Sequence, residues 1–204
     1  MANVLLRLSL LLIAGISAFG LSSCGGGRDT RNKMIVSVRD QRMLLARDGK
    51  PVKVYPVSTS KYGLGDGPGT NRTPLGRMEV AKKIGRNVRK GTVFKHRQPT
   101  GEVIKPNSPG RDPIVTRILW LKGREYHNRN AFRRYIYIHG TPEEWRLGQP
   151  ASYGYIRMAS RDVVDLYRRI GLGAEVKVIR GSLMTTPEGI EYVKSNPRRS
   201  RSGA

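Results

Sequence analysis

Apolar positions along this chain fall into short β-like runs, with one clear helical stripe toward the C-terminal end. Met34-Ile35-Val36-Ser37-Val38 and Arg42-Met43-Leu44-Leu45-Ala46-Arg47 predict two strands. Asp40 between them, and Asp48-Gly49 after them, supply turn chemistry. Val52 to Ser58 predicts a third strand. Pro56 confines it to an edge or a bulge, because proline has no N–H to give a ladder. Residues 61–74, rich in Gly, Pro, Asn and Thr, read as a long loop, and Gly76 to Ile84 as a further strand. Ile114 to Leu121 and Arg134 to His139 hold Ile, Val, Trp and Tyr in near-continuous runs, the pattern of strands covered on both faces. Residues 85–112 are basic with scattered Gly and Pro, and no pattern assigns them.

The periodicity changes after Met158. Val163, Leu166, Tyr167 and Ile170 follow one another at i, i+3, i+4 and i+7, one apolar face of a helix. Ser160 is placed to cap it, Asp162 suits the positive end of its dipole, and Gly171 or Gly173 ends it. Ala174 to Arg180 alternates as a strand with Val176 and Val178 on one face. Pro187 to Lys194 predicts a short helix capped by Thr186. Many strands and one substantial helix predict a mainly β domain.

The N-terminal region stands apart. Arg7 precedes an apolar run from Leu8 to Gly20, and small residues follow, which is the pattern of a secretory signal. Leu21-Ser22-Ser23-Cys24 resembles a bacterial lipobox, which implies lipidation of Cys24 and cleavage before it. The expected organisation is therefore a signal peptide (1–23), a flexible tether (24–33), one folded domain (34–182), and a short helix with a basic tail (183–204). Cys24 is the only cysteine, so no disulfide within the chain is possible, and once lipidated it leaves no free thiol.

The formal net charge of +23 would point to nucleic acid in a cytosolic protein. Behind an export signal the available polyanions are lipid head groups, surface polysaccharide and the carboxylates of peptidoglycan stem peptides, and nucleic acid is not expected. Lys and Arg are spread along the chain and define no single patch. His96 and His127 have no partner at ligand spacing. With one Cys, three His and no acidic triad, neither a metal nor a cofactor is expected.

Candidate chemistry is concentrated in two segments. Tyr137-Ile138-His139-Gly140-Thr141 is followed, thirteen positions after His139, by Ser152-Tyr153-Gly154-Tyr155-Ile156-Arg157-Met158. The pair resembles the signature of the L,D-transpeptidase (YkuD) family, His-Gly, a gap, then Ser-x-Gly-Cys, Ile or Val, Arg-Met. Tyr55-Pro56-Val57-Ser58-Thr59 and Thr73-Pro74-Leu75-Gly76 resemble a strand and a Thr-Pro-x-Gly turn of the same family, so the likeness extends over roughly 34–180. It implies a β-sandwich-like catalytic domain. It also implies a cysteine thiolate that attacks the amide between the third and fourth residues of a stem peptide, with backbone N–H groups holding the oxyanion.

Carried onto this sequence, His139 matches the general base, followed by Gly140. Gly154 would let backbone approach the substrate, and Arg157 would orient a carboxylate. Tyr153 fills a slot where many members have a second histidine. Tyr155 fills the cysteine slot itself. A phenol with a pKa of about 10 is mostly neutral at pH 7. Its ring also carries the oxygen well past a thiol's position and fills the space. Three readings follow. The favoured one is an inactive, lipid-anchored relative in the cell envelope, on the periplasmic side of the inner or outer membrane, that binds peptidoglycan stem peptides. The second is an active enzyme using Ser152 or Tyr155. The third is a basic envelope protein that binds anionic polymers. His139, Ser152, Tyr155 and Arg157 are expected to converge in one pocket.

Overall fold

The computed structural model describes residues 27–197. The predicted signal peptide, Cys24 with its predicted lipid, and the end of the basic tail lie outside the described residues. Among the described residues, ten strands and two α-helices form a mainly β domain. The strands are β1 (Asn32–Ser37), β2 (Arg42–Arg47), β3 (Lys50–Pro56), β4 (Gly76–Ile84), β5 (Thr92–Lys95), β6 (Gln98–Val103), β7 (Val115–Gly123), β8 (Tyr137–Gly140), β9 (Ile156–Met158) and β10 (Glu175–Ile179). The helices are α1 (Ser160–Arg169) and α2 (Pro187–Ser195).

Hydrogen bonding orders the strands β3-β2-β1-β10-β4-β7-β5-β6, and β8 and β9 branch from β7. Two pairings are parallel, β1 with β10 and β8 with β9. β3 is an edge strand, as Pro56 requires. β7 explains its own continuous apolar run. Leu119 and Leu121 enter the main core, while Ile118 and Trp120 face a second cluster with Phe94 and Tyr137. β1 divides the same way, with Met34 and Val36 in the main core and Ile35 packed with Leu44 and Leu183 beneath α2.

The unassigned stretch 85–112 contains the hairpin β5–β6, turned by His96 and Arg97 with φ of 51° and 69°. Such a turn favours Asn-Gly, and no glycine marks it here. The segment read as a tether is partly ordered, since β1 begins at Asn32. Asp29 accepts from Asn32 Nδ2 at 2.8 Å and from the Gly171 N–H at 2.6 Å.

α1 buries its predicted stripe, Val163, Leu166, Tyr167 and Ile170. Each side chain so buried contributes about 1.5–3 kcal/mol of apolar transfer. On its outer side, Asp165 accepts from Lys53 Nζ and Tyr55 Oη, both at 2.9 Å, tying the helix to β3. Ser160 is not the cap. It is the first helical residue, and its Oγ lies 2.7 Å from Thr116 Oγ1. The end of the helix is closed from elsewhere in the chain, as Glu144 Oε1 accepts from the Ser160 N–H at 2.8 Å. A carboxylate at this position also meets the positive end of the dipole. Glu144→Ala should therefore lower the unfolding free energy by about 1 kcal/mol, and Glu144→Gln, which keeps an acceptor oxygen, by clearly less. Urea denaturation of both variants measures this, and equal losses would remove Glu144 from the capping role.

Candidate functional site

β8 and β9 place the two motif segments side by side. Their parallel pairing sets His139 opposite Arg157 and Gly140 opposite Met158. A tight loop between Ser152 and Tyr155 then returns the chain to His139. Ser152 is fully buried, and its Oγ donates to the Tyr155 carbonyl at 2.7 Å. Gly154 within that loop has φ +105°, a conformation that glycine adopts without strain. A Cβ there would stand 3.3 Å from the Arg72 carbonyl oxygen. Gly154 thus packs closely on the 71–72 backbone. Gly140 is constrained more tightly, because a Cβ would lie 2.7 Å from the Val115 carbonyl oxygen.

His139, Tyr155 and Arg157 line one cavity of about 330 Å³, together with Asp112, Glu143 and Tyr153. Ser152 does not join them. Its hydroxyl closes the loop beneath Tyr155 and is not among the lining groups.

Tyr155 occupies the centre. Its ring stacks on Tyr137 at 5.4 Å and 11°, and meets the His139 ring edge-on at 5.2 Å and 80°. Its hydroxyl makes no hydrogen bond with the described residues. Burial pushes the phenol above its ordinary pKa, so the group stays neutral.

His139 is 2% exposed. Its Nδ1 lies 2.8 Å from the Gly140 carbonyl oxygen, which can only accept, so Nδ1 carries the proton and Nε2 is bare. Nε2 is buried without a partner. The ring's pKa is lowered to about 4, chiefly by burial, with the Gly140 carbonyl opposing the shift and the Arg157 charge adding to it. The imidazole is neutral at pH 7.

Arg157 is a strut. Its side chain is 6% exposed and lies 2.6 Å from Asp112 Oδ2 and 3.3 Å from Glu143 Oε2. The first contact is an ion pair without hydrogen-bond alignment, and Nε is buried without a partner. Thr141 Oγ1 donates to the other oxygen of Asp112, and Glu143 also meets Arg146 at 3.3 Å. In this structure the Arg157 guanidinium is thus engaged by Asp112 and Glu143 while still lining the cavity.

The rim is aromatic and basic. Tyr153 is 47% exposed, accepts from Lys61 Nζ at 3.1 Å, and tilts toward Tyr62 at 5.6 Å. The Lys61 ammonium holds the Tyr153 phenol below its ordinary value. Lys61 belongs to the long loop, which a buried Arg134–Asp66 pair at 3.1 Å pins in place. His96 and His127 lie outside the cavity lining, and His127 sits 3.3 Å from Glu125. Asp112, Glu143 and Lys61 escaped the sequence reading. Glu143 alone carries a signal, since it stands three residues past the end of the buried strand that delivers His139 and Gly140.

Residues 31–178 match the L,D-transpeptidase catalytic domain family, YkuD. Similar solved structures include an L,D-transpeptidase from Mycobacterium smegmatis, 15% identical over 73% of this chain and 58% of that one, with a TM-score of 0.46. One from Mycobacterium tuberculosis is 17% identical over 74% and 58%, with a TM-score of 0.47. One from Xylanimonas cellulosilytica is 16% identical over 74% and 61%, with a TM-score of 0.48. The chain thus covers less than two thirds of each of these chains. No curated protein matches it.

Two outcomes follow from the geometry. Because the Tyr155 hydroxyl has no partner, Tyr155→Phe should change stability by less than about 0.5 kcal/mol, whereas Tyr155→Ala, which empties the stack between Tyr137 and His139, should cost about 2–4 kcal/mol. Chemical denaturation distinguishes them, and a Phe variant as unstable as the Ala variant would refute the assignment. The second concerns pH. Unfolded His139 binds a proton near pH 6.5 and folded His139 near pH 4, so the unfolded state holds more protons across that window. Stability from the neutral ring is complete above about pH 6.5 and is lost as pH falls toward 4, by something on the order of 3 kcal/mol in all. Between pH 5 and 7 the wild type should gain more unfolding free energy than His139→Gln. Parallel pH curves for the two proteins would mean that His139 is not desolvated.

Proposed function

The chain belongs to the L,D-transpeptidase catalytic-domain family, and from that premise we propose that it is a cell-envelope protein that binds peptidoglycan stem peptides without cleaving or joining them. The observation that carries this reading is Tyr155, a neutral phenol wedged between Tyr137 and His139 in the slot where the family signature has its cysteine. Acyl transfer by that signature needs a thiolate, a base that accepts its proton, and room for a tetrahedral centre. Here the nucleophilic sulfur is replaced by a ring. No hydrogen bond links that ring's hydroxyl to His139. His139 keeps a bare Nε2, able to accept a proton or a hydrogen bond, but no thiol stands beside it to activate.

The other nucleophiles are disfavoured on geometry. Ser152 Oγ is fully buried and donates to a backbone carbonyl. Using it would open the loop that positions Tyr155. The cavity that remains is suited to binding. The bare His139 Nε2 can take an amide N–H. Lys61 and the half-exposed Arg146 stand at or near the rim to meet stem-peptide carboxylates, and the exposed Tyr153 ring offers apolar contact.

In this proposal Cys24 is the lipid-bearing N-terminal residue of the mature protein, holding the domain on the periplasmic side of the inner or outer membrane. Among the described residues no helix is long and apolar enough to cross a membrane.

The test compares the full chain with its Tyr155→Cys variant, using muropeptides as substrate and a carbapenem-type acylating agent as probe. Wild type should give no cross-linked or trimmed product and no mass adduct. The variant, with a thiol beside His139, should acquire the adduct at residue 155. An adduct on the wild type at Ser152 or Tyr155 would overturn the inactive assignment, and failure of wild type to bind muropeptides in a pull-down would overturn the binding one.

A further inference from the structure

We propose that the cleft between the C-terminal end of α1 and the far end of β4 is a second binding site, taking a phosphate-bearing ligand. It encloses about 800 Å³ and shares no lining residue with the His139 cavity. Lys82, Lys83, Arg86, Asn87, Arg117, Tyr167 and Arg168 supply its polar lining, and none of the lining residues is acidic.

Arg117 is the anomaly that carries the proposal. It is 6% exposed, and a charge so buried ordinarily has an anionic partner. Its described partners are instead two carbonyl oxygens, of Val88 at 2.9 Å and Thr116 at 2.5 Å, both taken by Nη1, and the Tyr167 ring at 5.6 Å. Nε and Nη2 have no acceptor among the described residues, and Arg117 lines the cleft. Lys83 is accounted for locally. Its Nζ donates to the carbonyls of Tyr167 and Ile170, closing the C-terminal end of α1, with the former at 2.7 Å. Arg86 and Arg168 stand exposed at the mouth, and neither has a carboxylate partner among the described residues.

Burial disfavours the charge on both Arg117 and Lys83; Arg168 adds to this at Arg117, while at Lys83 the Asp29 carboxylate opposes it and Arg86 adds to it. An arrangement of this kind is stabilised by a dianion. A phosphate group, with three acceptor oxygens and up to two charges, meets more guanidinium donors at once than a carboxylate does. Asn87 and the Tyr167 hydroxyl add neutral donors, and the volume suits an organic phosphate rather than a bare ion.

The experiment uses the full chain. Calorimetric titration with inorganic pyrophosphate at about physiological ionic strength is paired with co-sedimentation on phosphatidylcholine vesicles with and without phosphatidylglycerol. Arg86→Ala/Arg168→Ala removes two exposed cleft charges and leaves the buried ones in place. Arg47→Ala/Lys50→Ala removes the same charge from the β2–β3 turn. The cleft variant should bind about tenfold more weakly and the control within about twofold of wild type. Selective weakening toward pyrophosphate alone identifies a soluble phosphate ligand, and selective weakening toward the anionic vesicles identifies a lipid head group. Equal weakening in both variants, or no binding of either probe by wild type, overturns the site.

Discussion

The buried Arg157 guanidinium, held between Asp112 and Glu143, is the interaction on which the candidate site rests. It joins β9 to two segments distant in sequence, the end of the stretch before β7 and the turn after β8. Each carboxylate then recruits a further group. Asp112 takes the Thr141 hydroxyl, and Glu143 takes Arg146. The neighbouring Glu144 closes the N-terminal end of α1. A charge placed there without partners would be prohibitively costly, so the whole arrangement forms together or not at all. One consequence is electrostatic. Arg157 adds to the desolvation that keeps His139 neutral.

This arrangement separates two kinds of residue within one sequence signature. Gly140, Gly154, Ser152 and Arg157 build the frame: Gly140 admits backbone that a Cβ would strike, Gly154 takes a left-handed turn, the serine closes a loop, and the arginine pins three segments. His139 and residue 155 instead meet ring to ring within the cavity. The frame persists with a tyrosine at the centre because a flat ring can stack on Tyr137, where a bulky aliphatic group would have to fit against two aromatic faces.

Much of this was legible in the chain. The β runs, the edge position forced by Pro56, the stripe of α1 and the two halves of the signature all follow from period, proline chemistry and motif spacing. The hairpin β5–β6 was not legible. His96 and Arg97 adopt left-handed conformations without the glycine or asparagine that would announce them, and β6 is exposed along its whole length and so has no alternation to read. The cap of α1 was misassigned to Ser160 because a carboxylate sixteen residues earlier supplies the acceptor, and such a partner leaves no local trace. The carboxylates that occupy Arg157 were invisible for the same reason. Contacts between distant segments depend on the fold, and the motif arginine looked free until the fold brought Asp112 and Glu143 to it.

The parallel pairing of β1 with β10 has a temporal side. Strand β1 is the first element of the described chain and lies in the interior of the sheet, bonded to β2 on one edge and to β10 on the other. One edge can be satisfied at once by the adjacent hairpin. The other stays open until Glu175–Ile179 has been made and delivered. Closing a loop of that length carries an entropic cost before any contact repays it, and pairings of this kind form late relative to local ones. During that interval Met34 and Val36, destined for the main core, lie on a strand with an unpaired edge. An incomplete chain therefore exposes a sticky template, and anything that covers the open edge of β1 while the chain is still growing protects it from pairing with another copy.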